Sequence, residues 1–115
     1  MLEQLKIIED IARRNSFSYH ADLVLSLINK LENNDSEFWG LLNSNDVWGG
    51  SGSLVDITLS SYSKQDREKV KKDEYEWRCA FIDIYEEMIK KGIINSRAEF
   101  ATKAFRKWND DGVGI

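Results

Sequence analysis

The 115-residue chain carries 42% hydrophobic residues, with four Trp, five Phe and four Tyr, enough for one core of ordinary size and too many for a disordered chain. It has no proline and one cysteine, which removes the strongest helix breaker and excludes an internal disulfide, so a single all-α domain over residues 1–115 is expected. The net charge of −4 hides an asymmetry: up to Asp56 nine acidic residues face four basic ones, whereas after it twelve basic residues balance eleven acidic ones. An acidic half of this kind repels nucleic-acid phosphates and attracts a basic partner.

In Leu2 to Arg14, the residues Leu2, Leu5, Ile8, Ile11 and Ala12 recur at three- and four-residue steps with charges between them, the pattern of an amphipathic helix. Asn15-Ser16-Phe17-Ser18 interrupts it with cap and turn residues, and Tyr19 to Glu32 places Leu23, Val24, Leu27, Ile28 and Leu31 on one face of a second helix. After the turn Asn33-Asn34-Asp35, Ser36-Glu37 opens a short third helix presenting Phe38, Trp39, Leu41 and Leu42.

Next comes Trp48-Gly49-Gly50-Ser51-Gly52-Ser53-Leu54-Val55-Asp56, the glycine-rich loop between the N-terminal and C-terminal helices. Glycine loses the most backbone freedom on folding, so its clustering implies positive φ or close approach of another backbone. Ser53 is read as the cap of a short turn through Leu59. The run Val-Asp-Ile-Thr-Leu also alternates like a strand, but it has no second alternating run to pair with. Lys64 to Glu74 is almost wholly charged and reads as a solvent-facing helix start or a loop. Val70, Trp77, Phe81, Ile84 and Met88 then keep a helical spacing to Lys91, with Gly92 as the left-handed cap. Ser96-Arg97-Ala98-Glu99 matches a capping box opening a last helix that bears Ala101, Ala104, Phe105 and Trp108. The expected architecture is a bundle of five or six helices.

Residue types argue against catalysis. His20 is the one histidine, with no second titrating partner placed by sequence, and reads as structural. Cys79 reads as an inert thiol, and one His with one Cys cannot build a zinc site. The neighbouring carboxylates Glu86-Glu87 and Asp110-Asp111 point about 100° apart on a helix and do not converge. No catalytic residue, metal or cofactor is expected. The loop glycines Gly49, Gly50 and Gly52 ahead of Ser53 offer backbone donors for a phosphate, but a P-loop lysine is missing and Asp46 and Asp56 repel an anion. Two readings of the loop stand together. In one, Trp48 packs into the core and Asp56 accepts hydrogen bonds from loop amides. In the other, the rigid loop displays Trp48 or backbone groups to another protein.

The string Asp46-Val47-Trp48-Gly49-Gly50-Ser51-Gly52-Ser53-Leu54-Val55-Asp56, the helix end Ile89-Lys90-Lys91-Gly92 and the closing Phe105-Arg106-Lys107-Trp108 resemble a family of small bacterial proteins with a Trp-Gly-Gly-x-Gly-Ser-Leu-x-Asp signature. The likeness spans roughly the last two-thirds of the chain, and its specific part is the glycine string. Proteins of this size and character are similar to immunity proteins of contact-dependent growth inhibition and other polymorphic toxin systems. The resemblance implies a cytosolic protein that binds and neutralises one cognate toxin domain, with no catalytic residue carried over. An acidic inhibitor suits a nuclease toxin with a basic cleft. The contact residues expected on that reading are Asp22, Glu32, Asp35, Glu37, Asp46 and Trp48. The competing expectation is a small ligand-binding or catalytic domain with a pocket at the glycine loop, in which Asp46, Asp56 and His20 converge on an apolar cavity. A third is a structural subunit of a larger assembly, marked by exposed Phe and Trp. Apolar runs fall short of the roughly 18 residues of a membrane helix. The opening Met-Leu-Glu-Gln-Leu-Lys lacks the basic and apolar segments of a secretory signal. A cytoplasmic location is expected, with no membrane or nucleic-acid partner.

Overall fold

A computed structural model describes residues 1–112 and is all-helical. The six α-helices are α1 (Leu2–Arg14), α2 (Ser18–Glu32), α3 (Phe38–Leu42), α4 (Asn45–Trp48), α5 (Arg67–Lys90) and α6 (Ser96–Asp110), with 3₁₀ turns at Leu54–Asp56 and Leu59–Ser61. Residues 113–115 of the expected domain lie outside the described residues. No helix among the described residues is long and apolar enough to cross a membrane.

The apolar spacing read from the sequence is the buried face. Leu5, Ile8, Ile11 and Ala12 of α1, Val24, Leu27 and Ile28 of α2, and Val70, Trp77, Phe81, Ile84 and Met88 of α5 all join one core with Phe38, Leu42, Val47, Trp48, Leu54, Leu59 and Phe105. Helix α1 packs against both α2 and α5, and α6 packs on α5. At the centre, Phe81 meets Trp48, Trp77 and Phe105 with ring centroids 5.6, 5.1 and 6.2 Å away. The contacts with Trp48 and Trp77 are edge-to-face, the arrangement that pairs the positive ring edge with the negative face. Deleting one such ring costs about 3–5 kcal/mol.

Caps set both ends of α5 and the start of α6. Asp66 accepts the Lys69 amide at 3.0 Å to start α5. Gly92, with φ +82°, closes it as the Ile93 amide returns to the Met88 carbonyl at 3.0 Å. Helix α6 starts one residue earlier in register than a capping box at Ser96 predicts: Asn95 is the cap, its side-chain oxygen accepting the Ala98 amide at 3.0 Å. Asn95 also donates to the Asn43 side chain at 2.7 Å, so the same side chain that starts α6 ties it to the α3–α4 junction.

Two segments depart from the expected elements. The chain from Asn45 to Trp48 makes a further helical turn just before the glycines, and Val-Asp-Ile-Thr-Leu is neither strand nor α-helix but two 3₁₀ turns. The charged Lys64–Glu74 stretch is not uniformly solvent-facing, because Asp73 and Glu74 are buried along with Val70.

Candidate functional site

The glycine loop is shaped by its own backbone. A Cβ on Gly49 would sit 2.5 Å from the Asn45 Cβ and 2.7 Å from its backbone, so the chain leaving α4 lies against the first residue of that turn where no side chain fits. Gly50 and Gly52 then take φ of +71° and +84°, the left-handed region that costs other residues about 1–2 kcal/mol. Backbone bonds close the turns, Ser53 N–H to Gly50 O at 3.0 Å and Asp56 N–H to Ser53 O at 3.2 Å. Asp56 is exposed and, among the described residues, its carboxylate accepts no loop amide, which corrects the expected role. Carbonyls inside the loop, those of Gly50 and Ser53, take the Ser53 and Asp56 amides instead.

Trp48 is 2% exposed and its indole N–H donates to the Leu42 carbonyl at 2.9 Å. It is therefore a core residue, and its expected display as a contact at the surface is corrected. The ring is held inward by Phe81 and by the need to satisfy a buried N–H.

Between the glycine loop, α5 and α6 lies a cavity of about 500 Å³ whose lining includes Trp48, Ser53, Glu74, Trp77, Phe105 and Trp108. Helix α6 positions one wall. Its inward row is Ala98, Thr102 and Phe105, while Ala101, Ala104 and Trp108 turn toward the cavity. Phe100 and Trp108 line it while remaining exposed, so aromatic surface leads in from solvent.

Glu74 is 8% exposed and its Oε1 accepts from Arg78 Nη2 at a long 3.4 Å. Its Oε2 has no hydrogen-bond partner among the described residues, and neither has the Ser53 Oγ, on a residue 3% exposed. Burial pushes the Glu74 carboxyl above its ordinary range, against the opposing pull of Arg78. The Arg78 guanidinium lies 5.3 Å from the centroid of the Trp108 ring, within cation–π range. No sequence pattern singled out Glu74, because a carboxylate in a charged run reads as solvated.

His20 Nε2 lies 3.1 Å from the Gly52 carbonyl oxygen, fastening α2 to the loop. His20, Ser53 and Asp56 share a smaller groove beside the main cavity, but the His20–Gly52 contact occupies the nitrogen that a Ser–His relay needs. Asp46 lines neither space. The convergence of Asp46, Asp56 and His20 on one cavity does not occur.

The acidic residues singled out on the N-terminal half, Asp22, Glu32, Asp35, Glu37 and Asp46, are all exposed. Asp22 and Asp35 line one shallow groove along α2. Lys30 bridges Asp35 at 3.5 Å and Glu37 at 3.3 Å, and Arg13 reaches Asp22 at 3.2 Å. The Glu37 amide, and then Lys30, hold the Asp35 carboxyl below its ordinary range. Glu32 and Asp46 enter no ion pair among the described residues. Among those residues no group of three or more His, Cys, Asp or Glu side chains is placed to hold a metal. No family model matches the chain, and neither a curated protein nor a solved structure matches it.

Proposed function

We propose that the chain is an immunity protein, which binds a cognate toxin domain and neutralises it by covering a basic cleft, most naturally that of a nuclease. The observation that carries this reading is the exposure of Asp22, Glu32, Asp35, Glu37 and Asp46 on the half of the chain where acidic residues outnumber basic ones by nine to four. The resemblance of the Trp48–Asp56 string to the small bacterial family supports it, as does the way the loop is built. A rigid, self-closed loop keeps the adjoining helices fixed, and a preformed surface loses less entropy on association. Glu32 and Asp46, whose charge is not spent on a neighbouring cation, contribute most to long-range attraction.

The test is calorimetric titration against the toxin domain encoded beside the gene, at physiological salt. The reading predicts a dissociation constant well below micromolar, and micromolar or weaker binding contradicts it. Reversing Glu32 and Asp46 to Lys should slow association by about tenfold at low salt, with a smaller effect at high salt. An unchanged on-rate removes the acidic face from the interaction.

A further inference from the structure

The geometry points to a second binding site, independent of the acidic face: the cavity between the glycine loop, α5 and α6 takes a small aromatic amine. Its volume of about 500 Å³ falls within the range of small-ligand pockets, which are mostly apolar with a few placed polar groups. Trp48, Trp77, Phe105 and Trp108 supply ring surface. Asp56, Thr58, Ser96 and Arg97 line its exposed side, while among the buried lining residues Glu74 and Ser53 supply the polar groups, and each brings an oxygen without a hydrogen-bond partner among the described residues.

These two oxygens define the ligand's head. Buried polar atoms in native proteins are nearly always paired, and one left unpaired costs about 1–3 kcal/mol, more if it is charged. Gln4 Oε1 and Ser44 Oγ are also unpaired, but neither residue lines this cavity. A carboxylate oxygen can only accept, and a hydroxyl oxygen accepts readily, so the complementary group is a donor. An ammonium donates up to three hydrogen bonds, and it complements the carboxylate oxygen left unbonded by the Arg78 ion pair, which is made through Oε1 at 3.4 Å. The aromatic faces select in the same direction, since their quadrupole attracts cations. Glu74 Oε2 and Ser53 Oγ are both out of solvent contact, so binding requires them to turn toward the cavity, which the broad minimum of the glutamate's terminal torsion permits. The wall that carries Ser53 is held in place by Gly49 and Gly50, which gives the glycine string a role beyond turning the chain.

The experiment is a two-dimensional NMR titration of the full chain with 2-phenylethylamine, and in parallel with phenylacetate, which keeps the ring and reverses the head-group charge. The amine is expected to shift the indole N–H signals of Trp48, Trp77 and Trp108 in a saturable manner, with phenylacetate weaker by about tenfold or more. Glu74→Gln should weaken the amine by about tenfold, and Ser53→Ala by a few-fold. Absence of saturation at millimolar amine overturns the proposal, as does equal binding of the two probes or undiminished binding to Glu74→Gln. Should Glu74→Gln fail to fold, the wild-type amine-to-carboxylate ratio and the Ser53→Ala variant decide. Asp22, Glu32, Asp35, Glu37 and Asp46 do not line this cavity, so failure here leaves toxin binding intact and the reverse also holds.

Discussion

Asp73 and Glu74 are neighbours on α5, both buried, both carboxylates, and the structure treats them in opposite ways. About 100° of helix rotation separates them. Asp73 turns toward the α1–α2 junction, where it accepts Arg14 Nη2 at 2.6 Å, Arg14 Nε at 3.1 Å, Asn15 Nδ2 at 3.0 Å and Gln65 Nε2 at 2.8 Å. Fully buried Asn15 in turn accepts Ser63 Oγ at 2.6 Å, and Asp10 pairs with Arg14 from the outside. Burial raises the Asp73 carboxyl, but the hydrogen bonds from Arg14, Asn15 and Gln65 override it and leave the group below its ordinary range. Glu74 turns toward the cavity, with an Arg78 ion pair at 3.4 Å on one oxygen and the other unpaired among the described residues, and burial dominates. The lesson is that burial alone does not mark a functional carboxylate. A saturated one joins elements together, and an unsaturated one beside a cavity has capacity left for a ligand.

The largest expected consequence of this difference is in stability. Asp73→Ala removes the acceptor that Arg14, Asn15 and Gln65 share, while Arg14 keeps Asp10, Asn15 Nδ2 keeps the Ile11 carbonyl and Gln65 Nε2 keeps Asn15 Oδ1, so unfolding in urea should show a cost of about 2–3 kcal/mol. Glu74→Gln keeps volume and an acceptor for Arg78, and the same measurement should move by less than about 1 kcal/mol. Equal costs would erase the distinction.

A smaller effect is the pH dependence. A depressed native pKa gives stability that is present above the unfolded value, about 3.9 for Asp, and lost as pH falls through the native value. The advantage of wild type over Asp73→Asn should therefore shrink on acidification below about pH 4. A raised native pKa works the other way: ionisation of Glu74 becomes a growing penalty as pH rises above about 4.3. Wild type should lose ground to Glu74→Gln over that rise. Denaturation midpoints between pH 3 and 7, taken on all three proteins, check both signs, and parallel profiles would contradict the contrast.

Much of the scaffold was legible in the chain, since α1, α2 and α5 each carry an apolar face at helical spacing that supplies most of the core, whereas on α6 the row Ala101, Ala104, Phe105 and Trp108 puts only Phe105 in it. The glycine string was legible as a backbone constraint for the same reason, and Gly49, Gly50 and Gly52 bear out both causes, close approach and positive φ. What was hidden depends on contacts distant in sequence. Arg14 and Asp73 lie 59 positions apart, so the charged run before Trp77 reads as solvated until the fold brings α1 against α5. The Asn45–Trp48 turn is too short to show a period. The cap of α6 was displaced because Asn95 and Ser96 are both good cap residues, and the tie from Asn95 to Asn43 favours the earlier one. The cavity arises from three separate segments, none of which carries a pocket signal by itself.

The most direct measurement of the contrast at the centre of this account is a carboxyl-carbon NMR titration of Asp73 and Glu74, run with and without 2-phenylethylamine. Asp73 should titrate below the ordinary aspartate range and be unmoved by the amine, and Glu74 should titrate above the ordinary glutamate range and fall when the amine is added. Two ordinary midpoints, or a Glu74 midpoint indifferent to the amine while Asp73 responds, would contradict that contrast.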